Sequence, residues 1–211
     1  MTRIPLPDSF LRLPITHRAL HDRSKGRIEN SAAAIKAAVA AGYGIEVDLQ
    51  LSKDGAAMVF HDDTLDRLTG ETGPVSARTA AELGRIRLKE STDTIPTLVE
   101  VLALIGGRVP ILIEIKDQSL VMGPTDGRLE AATAEALRSY RGDVAVMSFN
   151  PAAVAHMARL SPEVPRGITT SAYDPDDWSP MPPDLCAHFR AIPDYDTTQS
   201  SFISHEAPDL A

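Results

Sequence analysis

Ile45-Glu46-Val47-Asp48-Leu49-Gln50-Leu51 alternates apolar and polar residues without a break. Successive side chains of a strand point to opposite faces. The stretch therefore reads as a strand with Glu46, Asp48 and Gln50 together on one side. Beyond it, Asp54-Gly55 turns the chain, and Ala57 to Phe60 reads as another strand, ending at His61. Upstream, Thr16-His17 closes a short extended stretch after Pro14. A helix from Ser31 to about Ala41 follows, with Asn30 expected as its cap and Gly42 and Gly44 as its stop. Downstream, residues 62–95 are mixed, with a short helix near 79–83. Thr97-Leu98-Val99-Glu100 is a capping-box pattern that opens a further helix. Ile111 to Lys116 reads as a strand with Leu112, Glu114 and Lys116 on one face. The rest continues the alternation: helix 129–140, strand 144–149, helix 152–160, strand 167–170, a short helix around 185–192 and a last strand at 201–204.

Strands alternating with helices imply a mainly parallel sheet with right-handed crossovers. About seven strands are expected, a count that fits both a doubly wound sheet and a TIM barrel. The polar residues decide between them. His17, then Glu46 and Asp48, then His61, then Glu114 and Lys116 gather at the ends of successive strands. A TIM barrel builds its site at the C-terminal ends of its strands. A doubly wound sheet that binds nucleotides opens with a glycine-rich turn, and no G-x-G-x-x-G or Walker A pattern is present. The expectation is an α/β chain of TIM (β/α)8-type.

The chain has 211 residues, 43% hydrophobic and 24% charged, an ordinary globular composition that excludes a disordered or fibrous protein. A formal net charge of −8 argues against binding nucleic acid, which rests on neutralising phosphates. The single cysteine, Cys186, rules out an internal disulfide and makes a reducing compartment the default. No apolar run is long enough to cross a bilayer, and the first ten residues lack the apolar core of a signal peptide. A cytoplasmic protein is expected.

Glu46, Asp48 and Glu114 offer three hard oxygen donors, a set suited to Ca²⁺ or Mg²⁺. The same carboxylates could instead pair with lysine and arginine in a structural network. His17 and His61 could form a general acid–base pair, since an imidazole titrates near working pH; each could equally be structural. Zinc is the weaker reading, because no H-E-x-x-H or close His-x-His occurs. Arg18 and Lys116 supply positive charge beside the carboxylates, suited to a phosphate oxygen, although Lys116 could simply neutralise Glu114 or Glu46. Neighbouring strand residues point opposite ways, so His17 and Arg18 can share a site only if the strand has broken into loop there. His21, His156, His188 and His205 lack a comparable setting and are expected on the surface or in packing. No G-x-S-x-G is present to support a serine hydrolase.

These residues resemble the glycerophosphodiester phosphodiesterases. His17-Arg18, Glu29-Asn30, Glu46-Val47-Asp48, Lys53-Asp54-Gly55, His61-Asp62, Ile95-Pro96-Thr97-Leu98 and Glu114-Ile115-Lys116 follow that family's order and spacing, and Ser148-Phe149-Asn150 resembles its later strand. The likeness covers about residues 13–170. It implies a barrel domain over 1–211 with a small insertion after the third strand, at about 62–95. It implies His17 and His61 as the acid–base pair, Glu46, Asp48 and Glu114 as holders of a divalent metal, and Arg18 and Lys116 as phosphate contacts. It implies hydrolysis of a glycerophosphodiester to an alcohol and glycerol 3-phosphate.

Two departures stand out. The family usually has His-Arg-Gly where this chain has Ala19, so any left-handed backbone there carries a cost. The family's last strand, with its Trp-Thr-Val pattern, has no counterpart, so a barrel incomplete at its C-terminus, marginally stable and without its last strand and helix, is expected. Lysophospholipase D or cyclising phospholipase activity would use the same site, with an apolar entrance as the distinguishing mark. The rival from another class is a non-catalytic truncated barrel acting as a binding protein.

Overall fold

The computed structural model describes residues 3–119 and 121–210. Its centre is a curled seven-stranded sheet. The strands are β1 (Ile15–Thr16), β2 (Gly44–Leu51), β3 (Ala57–Val59), β4 (Ile111–Ile115), β5 (Val144–Ser148), β6 (Arg166–Thr170) and β7 (Phe202–His205). The order is β1-β2-β4-β5-β6-β7, all parallel, and β3 lies off this path, antiparallel to β2. Seven strands in a mainly parallel sheet are as expected: six are parallel and β3 is antiparallel. The cause is the tight Asp54-Gly55 turn, with Gly55 at φ 87°, which can join only antiparallel neighbours. Among the described residues the sheet is open, since β1 pairs only with β2 and β7 only with β6.

Helices α1 (Ser9–Arg12), α2 (Ala32–Ala41), α3 (Ala80–Leu83), α4 (Leu98–Ile105), α5 (Arg128–Leu137), α6 (Pro151–Leu160) and α7 (Pro183–Arg190) surround the sheet. The outward residues Ile45, Val47 and Leu49 of β2 pack in one core with Ile35 of α2, Leu98 and Ile105 of α4 and Leu129 of α5. The cap of α2 differs from expectation. Ser31 accepts from the Ala34 N–H at 3.2 Å, whereas Asn30 sits in the left-handed region at φ 59° and turns its amide to Asp48. The α4 box forms as read: Thr97 accepts from the Glu100 N–H, and Glu100 accepts from the Thr97 N–H at 2.8 Å. The segment after β3 folds around a second cluster, with Phe60, Leu65, Leu83 and Ile95 buried against Met58 and Ile28.

Below the site, Phe202 fills the barrel floor with Leu112, Ala145, Met147 and, from the N-terminal segment, Leu6 and Phe10. Gly167 lies directly opposite Phe202 in the β6–β7 register, and a methyl at 167 would fall on the Phe202 ring. Gly167→Ala is therefore expected to destabilise by about 2 kcal/mol, as overpacking does. That corresponds to a drop in Tm of about 4–8 °C for a chain of this size. The loss should shrink when Phe202 is first replaced by leucine. Equal losses in both backgrounds would mean that the ring is not what the methyl meets.

Candidate active site

The inward face of β2 carries Glu46 and Asp48, and the neighbouring β4 brings Glu114 level with Asp48. All three are buried, at 4%, 1% and 7% exposure, and one oxygen of each lies within 4.8 Å of the others. Three such carboxylates repel one another and lose hydration together. Burial, then the Asp48 charge, pushes the Glu46 carboxyl up to about 8, against the pull of the Arg18 N–H. Burial also works against the Asp48 charge, but Lys116, His61 and the Asn30 amide together hold its carboxyl below the ordinary value. Lys116 reaches Asp48 Oδ1 at 2.8 Å and also pairs with Glu114. Burial disfavours the Lys116 charge, yet Glu114 and Asp48 raise its pKa above the ordinary lysine value. Arg18 Nε stands 3.6 Å from Asp48 Oδ2.

A divalent cation suits this donor set on a specific observation. Glu46 Oε1 is buried with no hydrogen-bond partner, while its other oxygen accepts from the Arg18 N–H at 2.7 Å. An idle buried carboxylate oxygen is costly unless something is meant to meet it. Glu46, Asp48 and Glu114 are the residues that would hold such an ion, through hard oxygens alone.

His17, Arg18, Glu46, His61, Glu114 and Lys116 line one cleft of about 800 Å³. His17 and Arg18 both reach it because β1 ends at Thr16 and the chain turns left-handed, with Arg18 at φ 52° and Ala19 at φ 65°. This is the loop that sequence alternation required, and Ala19 bears the backbone cost expected of a non-glycine there. Partial desolvation, then the Arg18 charge, lowers the pKa of His17 below its ordinary value. His61 follows β3, and its Nδ1 lies 2.7 Å from Asp62 Oδ1. Ser148, by contrast, donates its hydroxyl to the Ile115 carbonyl and is structural.

The far wall of the cleft is aromatic. Phe149, Tyr173 and Trp178 pack with centroids 4.8–6.4 Å apart. His205 also lines the cleft, against the expectation that placed it with surface and packing histidines. Its Nδ1 is 2.7 Å from Thr170 Oγ1 and its Nε2 3.0 Å from Asp209. Phe149 follows β5, whereas Tyr173 and Trp178 lie between β6 and α7, so no local pattern could have joined the first ring to the other two.

An open α/β sheet with titratable groups at the C-terminal ends of its parallel strands is a TIM-barrel type of site. Residues 17–198 match the model of the glycerophosphoryl diester phosphodiesterase family, and the chain belongs to that family. It is 35% identical over 166 residues to a glycerophosphodiester phosphodiesterase of Caldanaerobacter subterraneus subsp. tengcongensis, covering 74% of this chain and 65% of that protein. It is 33% identical over 152 residues to one of Bacillus altitudinis, covering 67% and 61%. The chain thus spans somewhat less than two thirds of the length of these relatives. A phosphodiesterase of Oleispira antarctica, solved with the product sn-glycerol-3-phosphate, superimposes with a TM-score of 0.71 at 25% identity over 93% of this chain and 76% of that one. A glycerophosphodiester phosphodiesterase of Thermotoga maritima shares the fold with a TM-score of 0.63 at 22% identity, covering 92% and 73%.

Proposed function

We propose that this chain is the barrel of a metal-dependent phosphodiesterase that hydrolyses glycerophosphodiesters to an alcohol and glycerol 3-phosphate. The observation that carries the reading is the buried Glu46, Asp48 and Glu114 cluster, two members of which line one cleft with His17 and His61. The names of its relatives support it. In this reading Arg18 and Lys116 bind the non-bridging phosphate oxygens. His17, kept neutral by its lowered pKa, accepts a proton from the nucleophile, either water or the substrate's neighbouring hydroxyl. His61 donates a proton to the departing alkoxide. Ca²⁺ or Mg²⁺ would neutralise charge growing on the phosphoryl oxygens. A single cysteine fits action in the reducing cytoplasm. No helix among the described residues is long and apolar enough to cross a membrane.

The test is a coupled assay for glycerol 3-phosphate release from several glycerophosphodiesters. Excess EDTA should abolish turnover and Ca²⁺ or Mg²⁺ should restore it. Undiminished turnover in EDTA would overturn the metal role.

The aromatic wall favours a second substrate on the same machinery, a lysophospholipid whose acyl chain lies against Phe149, Tyr173 and Trp178. The rings pack against one another, tilted by 40–88°, as one apolar cluster at the cleft wall. Trp178→Ala should then lower kcat/KM for lysophosphatidylcholine by about tenfold, in line with lost aromatic burial. Glycerophosphocholine turnover should change little. Equal losses on both would remove this second reading.

A further inference from the structure

Arg67, in the segment after β3, lies between two carboxylates. Its Nε and one terminal nitrogen donate to both oxygens of Asp62, each at 2.7 Å. Its terminal nitrogens also donate to both oxygens of Glu29, at 2.9 and 2.7 Å. Each carboxylate then turns to one group of the cleft. Asp62 Oδ1 faces His61 Nδ1, and Glu29 Oε1 accepts from Arg18 at 3.0 Å. The result is a continuous chain of alternating charge, His61-Asp62-Arg67-Glu29-Arg18, ending at Asp48. Burial works against the Asp62 charge, but Arg67 and then His61 hold the carboxyl below its ordinary pKa. An ionised carboxylate can only accept, so the proton between the pair belongs to His61 Nδ1. That leaves Nε2 as the nitrogen that can exchange a proton with a ligand in the cleft.

We propose that Asp62 and Arg67 are positioning residues: Asp62 fixes the tautomer and orientation of His61, and Arg67 locks Asp62 and Glu29 so that His61 and Arg18 are set by one guanidinium. The proposal deepens the phosphodiesterase reading and rests on it for its kinetic part. A planar fork of donors can meet both oxygens of two carboxylates at once, which a single ammonium cannot, so lysine is not equivalent at 67. The segment after β3 thereby gains a task beyond covering Phe60, since it delivers the guanidinium that ties two catalytic loops together.

The experiment follows the ring nitrogens of His61 by NMR in protein labelled with ¹⁵N-histidine, at alkaline pH and without substrate, with His61→Gln providing the assignment. The wild type should show the Nδ1–H tautomer. In Asp62→Asn, whose amide can donate to Nδ1, the Nε2–H form should dominate. The kcat should fall by roughly 10²-fold, with KM within about threefold, since misplacing a proton-transfer group acts on the transition state. Arg67→Gln should lower kcat by about tenfold or more, and Arg67→Lys should recover only part of it. An unchanged tautomer in folded Asp62→Asn overturns the proposal, as does an Asp62→Asn kcat within threefold of wild type. If the wild type turns over no glycerophosphodiester, the functional reading fails, while the tautomer measurement still decides the role of Asp62. Should Asp62→Asn not fold, the wild-type tautomer decides: an Nε2–H ring overturns the proposal and an Nδ1–H ring supports it.

Discussion

Replacing His17 or His61 by alanine is expected to lower phosphodiester turnover by roughly 10²–10⁴-fold while the fold remains, the usual cost of losing a general acid or base. Neither imidazole is a core residue. His17 stands exposed at the cleft mouth, and the His61 side chain is 29% exposed, so neither loss leaves a large cavity. The two act on one transition state, so the double variant should lose less than the product of the single losses. Circular dichroism and Tm check the fold, and glycerol 3-phosphate release checks the rate. Near-normal turnover in either single variant would return that histidine to a structural role.

Without divalent cations, the protein is expected to lose stability as the pH rises from about 6.5 to about 8. The folded pKa of Glu46 lies at about 8, above its unfolded value of 4.5. A raised acid contributes fully below the unfolded pKa, and its contribution is lost as the pH climbs through the folded one. The lowered pKa of His17 acts in the opposite sense, but only below its ordinary value of 6.5. Asp48, lowered from 3.8, and Lys116, raised from 10.5, do not titrate in this window. The 1.5 units from 6.5 to 8 correspond to about 2 kcal/mol, or a Tm lower by about 4–8 °C. Ca²⁺ or Mg²⁺ at 100 times its Kd should restore about 2.7 kcal/mol. Glu46→Gln should flatten the slope. A Tm constant from pH 6.5 to 8 in EDTA would show that Glu46 is not held protonated.

Much of this was legible because strand alternation is local. The pattern through residues 45–51 and 111–116 named the inward carboxylates, and β2 and β4 place them as read. The helix caps were legible where side chain and backbone are three residues apart, as at Thr97 and Glu100. Asn30 was misassigned because a capping asparagine and one held left-handed against a distant aspartate carry the same sequence signal. The direction of β3 was written in the Asp54-Gly55 turn, which joins antiparallel neighbours. What stayed hidden depends on contacts between distant segments. Arg67 joins Glu29 across 38 residues, and Tyr173 and Trp178 come to Phe149 from the other side of β6.

The backbone around Arg18 and Ala19 sends both of its N–H groups to residue 46, one to the Glu46 carboxylate and one to its carbonyl. The first of these bonds holds the Glu46 side chain at the site with no cation present. The work of burying the Glu46 carboxyl beside Asp48 and Glu114 is done while the chain folds, and it keeps that carboxyl protonated near neutral pH. An ion captured there would need little rearrangement of the protein and would displace the Glu46 proton. Affinity for the ion and fragility of the empty barrel are thus two readings of one quantity. A substitution that relaxes the metal-free protein at Glu46 should weaken ion binding by a comparable amount.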